Sequence, residues 1–239
     1  MPVYRLIPGI PVFPPIEEAE DDGLLAVGGD LTIDRLLGAY RRGIFPWYEV
    51  GQPILWWSPD PRLVLLPDEL KISRSLRKVL RKEQFEIRFD TAFQEVIKSC
   101  ADVRTKLGEG TWIIPEMQQA YTELHQEGFA HSVESWLDGK LVGGLYGISM
   151  GQCFFGESMF STMNDSSKVA LVALADFSQL VGIKLIDCQM TTPHLLSLGA
   201  REIKREVFLK MLKKHLENSS IKGLWNNCPV SMKVNLLQN

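Results

Sequence analysis

The sequence predicts an α+β fold built on one mixed sheet, and three observations carry that expectation. Three consecutive stretches between residues 131 and 157 have strand patterning, residues 166–180 form a helix that is apolar almost all round, and residues 183–189 read as a returning strand. Strands joined by tight turns pair antiparallel, whereas a strand regained after a buried crossover helix pairs parallel, so both kinds of ladder belong to the sheet. At 239 residues the chain is long enough for one large domain or two small ones, and 45% hydrophobic with 23% charged residues excludes disordered and fibrous classes. A net charge of -3 excludes a protein whose whole surface grips a polyanion. Any contact with nucleic acid therefore falls to a local basic patch.

Residues 1–62 are expected to form an aromatic-rich N-terminal domain, punctuated by Pro14, Pro15, Gly28, Gly29 and Pro46, with the acidic run at 17–22 a solvated loop. A short helix is expected over 33–42, where Leu36, Leu37 and Tyr40 recur at helical spacing. Residues 63–89 hold a basic helix and a connection. The main domain then spans 90–217. It opens with a helix over 115–127, followed by strands at 131–137, 140–150 and 152–157, with Asp138 and Gly139 as the hairpin turn between the first two. The buried helix takes Asn164 or Asp165 as its cap. A last helix over 205–216 turns Phe208, Leu209, Leu212 and Leu216 inward, and residues 218–239, without clear period, are a tail.

Three groups of residues are candidates for chemistry. Tyr40, Phe45, Trp47, Tyr48, Trp56 and Trp57 crowd into 18 residues, which either packs an irregular, proline-broken segment or builds a stacking wall for a base. In KISRSLRKVLRK, residues 71–82, Arg74, Arg77, Lys78, Arg81 and Lys82 fall within about 140° of helical arc, opposite Leu76, Val79 and Leu80. Such a face is either plain solvated surface or, being all of one sign in an acidic chain, a phosphate-binding one. Asp187 and Gln189 stand two apart on a strand, so both leave one face while Cys188 leaves the other, and Glu157 ends the preceding strand. If the crossover brings these ends together, two carboxylates and an amide share a pocket suited to a cationic amine; otherwise the acids cap turns and pair with surface lysines.

Other signals exclude more than they suggest. Cys100, Cys153, Cys188 and Cys228 lie far apart, so neither a metal site nor a disulfide framework is expected. His125, His131, His194 and His215 fit no catalytic triad and read as structural. No Walker A or G-x-G-x-x-G loop is present. The start lacks a secretory pattern and the most apolar stretch, 169–175, falls far short of the roughly 20 residues of a membrane span, so a cytoplasmic protein without membrane contact is expected.

The strings GLLAVGGDL (23–31), RRGIFPW (41–47), ILWWSPDPR (54–62), EGTWI (109–113), GGLYG (143–147), FGESMFS (155–161) and IDCQ (186–189), in this order, resemble those of the leucyl/phenylalanyl-tRNA protein transferases over about residues 13–217. The resemblance implies a C-terminal domain similar to the Gcn5-related acetyltransferases behind a smaller N-terminal α+β domain. It implies transfer of leucine or phenylalanine, and less well methionine, from aminoacyl-tRNA to an N-terminal arginine or lysine, creating an N-degron. No cofactor or metal is expected, and the protein is expected to be a monomer. Carried over by position, Asp187, Gln189 and Glu157 are the catalytic group, with Asp187 orienting Gln189; Leu145, Phe154, Met159 and Leu171 line the donor pocket; and Trp47 and Trp112 meet the terminal adenosine. Trp56 and Trp57 stay as packing, and the basic helix becomes a candidate for the acceptor stem. Leu145 replaces a frequent methionine, a nearly volume-conserving change, and Thr192 stands where family members carry asparagine. Two alternatives are an acyl-CoA-dependent acetyltransferase-like enzyme, opposed by the missing Q/R-x-x-G-x-G/A loop, and a non-catalytic RNA-binding module, opposed by Asp187 and Gln189 beside an apolar pocket.

Overall fold

A computed structural model describes residues 4–106, 111–219 and 223–227. Glu109 and Gly110 of the EGTWI string, Cys228 and most of the expected tail lie outside the described residues. The N-terminal segment folds as a four-stranded sheet in the order β1-β2-β4-β3, from β1 (Tyr4–Leu6), β2 (Leu24–Gly28), β3 (Phe45–Pro46) and β4 (Leu55–Trp57). Helix α1 (Ile33–Tyr40) packs against it through Leu36, Leu37 and Tyr40, the residues whose spacing predicts it. Arg35 of α1 is fully buried and ties the start of the chain down by bonding Asp30 and the carbonyls of Ile7 and Ile10.

The larger sheet has seven strands in the order β11-β5-β10-β9-β8-β7-β6: β5 (Arg62–Leu65), β6 (Glu86–Phe89), β7 (Ala130–Leu137), β8 (Lys140–Met150), β9 (Cys153–Ser161), β10 (Leu185–Gln189) and β11 (Arg201–Ile203). All its ladders are antiparallel except β9 with β10, so the sheet is mixed. Asp138 and Gly139, both at positive φ, turn β7 into β8 as their residue types predict. The sheet recruits β5 and β6 from ahead of residue 90, where the main domain was expected to begin.

One face is covered by α3 (Phe93–Lys106), α4 (Pro115–Gln126) and α7 (Arg205–Leu216), which share a core with the N-terminal sheet. The other face carries α2 (Arg74–Arg81) and α5 (Ser166–Val181). In α5, Val169, Leu171, Val172, Leu174 and Phe177 are buried, each burial stabilising by about 1.5–3 kcal/mol relative to exposure. Its expected side-chain cap is absent: Asp165 precedes the helix in the left-handed region, makes no capping bond, and pairs with Lys168 instead. Gly143 lets this helix start approach the sheet, since a Cβ there would lie 2.2 Å from Ser166 Oγ. A short helix α6 (Pro193–Ser197) follows β10, with the Thr192 side chain accepting from the Leu195 N–H as its cap.

Candidate active site

Two bulges part the larger sheet. β9 and β10 pair only from Cys153 with Leu185 to Phe155 with Asp187. Further along, the β8–β9 register shifts and leaves Glu157 with no residue opposite, while the β10–β5 register shifts and leaves Cys188 with none. An extra residue bends the strand that carries it. With neighbouring strands bent, a cavity of about 400 Å³ opens, within the usual range of small-molecule sites. Glu157 therefore lies inside β9 and not at its end, as the sequence pattern had placed it.

One end of the cavity is apolar: Leu145, Phe154, Met159 and Leu171, the four residues named from the sequence, line it together with Leu174 and Ile186. Gly147 permits this, because a Cβ there would sit 2.2 Å from the Phe155 carbonyl and 2.6 Å from the Phe154 ring. Trp47, 41% exposed, and Trp112, buried, also line the cavity. Trp57 steadies Trp47 by donating its indole N–H to the Trp47 carbonyl at 2.7 Å, and Trp56 is fully buried, bonded to the Gly28 carbonyl.

The polar end centres on Glu157. Its Oε1 accepts from Tyr40 OH at 2.7 Å and from Gln189 Nε2 at 2.8 Å, and its Oε2 accepts from Tyr121 OH at 2.9 Å. The two phenols also touch each other. Three contacts join the carboxyl and the two phenols, which together carry three hydrogens only when Glu157 is protonated. Burial pushes its pKa up to about 7, against the lowering effect of bonds from Tyr40, Tyr121 and Gln189, with the Asp187 charge adding to the rise. Burial likewise holds both phenols well above their ordinary range. Because Nε2 of Gln189 faces a carboxylate oxygen, its Oε1 is the end left for a ligand.

Asp187 departs from expectation. It is fully buried and does not line the cavity, while both Cys188 and Gln189 do, because the bulge and the left-handed Gln189 (φ 61°) break the alternation of the strand. Such a backbone costs about 1–3 kcal/mol and needs holding in place. Asp187 contributes to that hold through the Gln189 backbone N–H, at 3.0 Å, and not through its side-chain amide, which Glu157 orients. The expected pair of open carboxylates is thus a single one, Glu157, since Asp187 is engaged by Arg62.

In α2, Leu76 and Leu80 are buried against the α5 side of the sheet, whereas Arg74, Lys78 and Arg81, with Lys82 just after it, are exposed and Arg77 is half-buried; none of the five lines the cavity. Sequence reasoning missed Arg62, Tyr121 and His194 at the site and left Tyr40 as one ring among many. His194, read as structural, lines both this cavity and a polar one of about 520 Å³ beside the start of α5. Burial holds its imidazole below the ordinary pKa, with Lys168 adding to the effect. Among the described residues, no three of His, Cys, Asp and Glu gather as metal ligands would, and no helix is long and apolar enough to cross a membrane.

A family model for leucyl/phenylalanyl-tRNA protein transferase matches residues 64–213, and the model for the N-terminal domain of that family matches 29–60. A leucyl/phenylalanyl-tRNA–protein transferase of Aromatoleum aromaticum is 61% identical over 91% of this chain and 92% of its own length. One from Syntrophobacter fumaroxidans is 60% identical over 90% of this chain and 92% of its own. A much looser likeness, with 15% identity and a TM-score of 0.38, covers 48% of this chain and 84% of an aminoglycoside acetyltransferase from a soil metagenome.

Proposed function

Because the chain belongs to the leucyl/phenylalanyl-tRNA protein transferase family, we propose that it moves leucine or phenylalanine, and less well methionine, from aminoacyl-tRNA to the N-terminal arginine or lysine of acceptor proteins, marking them with an N-degron, as a monomer in the cytoplasm. One observation carries this reading: the apolar end of the cavity and the Glu157–Gln189 pair belong to the same space. Leu145, Phe154, Met159 and Leu171 receive the donor side chain, with Met159 adapting to branched or aromatic shapes. Trp47 and Trp112 stack on the terminal adenosine, and the cations of α2 neutralise acceptor-stem phosphates without reading sequence.

The chemistry turns an ester into an amide. An α-amine has a pKa near 8, so at neutral pH it arrives mostly as ammonium and must lose a proton before attack. Glu157, near 7, is matched to take it, since proton transfer between groups of similar pKa is nearly balanced. Gln189 Oε1 accepts a hydrogen bond from the same amine and aims its lone pair at the ester carbonyl. As the tetrahedral adduct collapses, the C–O bond to the ribose breaks and the amine's second proton leaves with the ribose hydroxyl.

Radiolabelled leucyl-tRNA offered with a peptide beginning with arginine, beside one beginning with alanine, tests this reading. Label is expected in the first peptide alone. Label in neither, or in both, contradicts it.

A further inference from the structure

Arg62 is fully buried, and its guanidinium lies between the rings of Phe45 and Phe208, 4.8 Å and 4.7 Å from their centres. It meets Asp187 with two parallel bonds, Nε to Oδ1 at 2.8 Å and Nη2 to Oδ2 at 2.7 Å. Oδ1 also accepts the Gln189 backbone N–H. Compared with apolar residues of similar volume, a buried ion pair adds little net stability, but its planar fork fixes direction. The direction fixed here is that of the bulge at Cys188 and Gln189. Asp187 has no face on the cavity, so a proton leaving the amine does not meet it.

We propose that Arg62 and Asp187 are a positioning pair, which holds the left-handed Gln189 so that its amide reaches Glu157 and the cavity, and that the Asp187 carboxylate takes no part in proton transfer. This rests on the transfer reaction proposed above. Phe45 also lines the cavity, so the ring that covers Arg62 belongs to the donor site as well.

The test compares Arg62→Lys, Asp187→Asn and the double variant Arg62→Gln/Asp187→Asn, in which two amides can bond and no charge is left alone. Each single variant is expected to lower kcat about tenfold or more while KM for leucyl-tRNA stays within about twofold. Each should also speed hydrogen exchange at the Gln189 N–H, a readout independent of transfer. The double variant should regain about tenfold over Asp187→Asn, slow that exchange again, and keep a rising pH–rate limb near pH 7. A folded double variant with a protected Gln189 N–H that is still as slow as Asp187→Asn, or that loses the limb, puts the carboxylate in the proton path and overturns the proposal. Where Asp187→Asn or the double variant does not fold, Arg62→Lys decides, and unchanged kcat and exchange in it overturn the proposal too. Wild-type protein that labels no peptide sinks the transfer reading, while the exchange data still judge the pair.

Discussion

Replacing Glu157 by glutamine separates what the carboxyl does for the reaction from what it does to the fold. In the folded protein its pKa rises from 4.5 to about 7, chiefly by burial. A folded pKa above the unfolded one means that the stabilising contribution is complete below pH 4.5 and is lost as pH rises through 7. At 1.36 kcal/mol per unit the loss approaches about 3 kcal/mol, of which about 2.5 kcal/mol falls between pH 5 and pH 8. Glutamine keeps an oxygen for Tyr40 and Gln189 and a permanent N–H for the phenols, so Glu157→Gln retains the bonded network without the titration.

Denaturant unfolding of both proteins at pH 5 and pH 8 measures this, and subtracting the two pH dependences cancels every other titrating group. The wild type should lose about 2.5 kcal/mol more than the variant over that interval. Single-turnover transfer should move the opposite way: a rate about 10²- to 10⁴-fold lower, as for loss of a general base, and no rising limb near pH 7. Parallel stability curves refute the assignment of the raised pKa to Glu157, and an unchanged limb refutes its role as proton acceptor.

Other changes test separate parts of the site. His194→Ala removes a wall shared by the apolar and polar cavities, so transfer from tryptophanyl-tRNA should rise about tenfold relative to leucyl-tRNA in a competition assay, and unchanged selectivity contradicts this. Gly147→Ala drives a methyl against the Phe155 carbonyl and the Phe154 ring; a loss of about 1–3 kcal/mol or more in denaturant unfolding with a higher KM for leucyl-tRNA is expected, and a neutral result contradicts the tight approach. Charge reversal at Lys78 and Arg81 together should weaken all aminoacyl-tRNAs alike and reduce the salt slope of binding by about one per lost phosphate contact; an unchanged slope removes α2 from the tRNA surface.

What the sequence made legible follows periodicity. The β7–β8 hairpin, the buried α5 and the inner face of α7 each repeat apolar residues at strand or helix spacing, and each forms where that spacing places it. Helix α3, absent from the sequence expectation, carries the same kind of signal in Phe93, Val96, Ile97, Cys100 and Ala101. The bulges are a different case. Period-two alternation assumes a regular ladder, so it set Cys188 opposite Gln189, and nothing in the letters Asp-Cys-Gln announces a left-handed glutamine. Arg62 closes the string ILWWSPDPR and is a cation opening the otherwise apolar strand Arg62-Leu63-Val64-Leu65, but the bond it makes spans 125 positions.

The two acids near Gln189 show why such long-range contacts decide function. Both are buried, one residue holds each end of the glutamine, and their surroundings differ in kind. Asp187 is paired with a guanidinium, and the same carboxylate accepts the backbone N–H of Gln189. Glu157 faces phenols and an amide, groups that bond a carboxylate without cancelling its charge, and so its proton stays exchangeable near neutrality. Tyr121 and Gln189 reach the carboxyl from the part of the chain that builds the large sheet, whereas phenol Tyr40 comes from α1, so one of the three bonds depends on the N-terminal segment packing there. Docking also brings Phe45 over Arg62 and Trp47 to the cavity. The N-terminal segment thus supplies part of the candidate site, in Tyr40, Phe45 and Trp47.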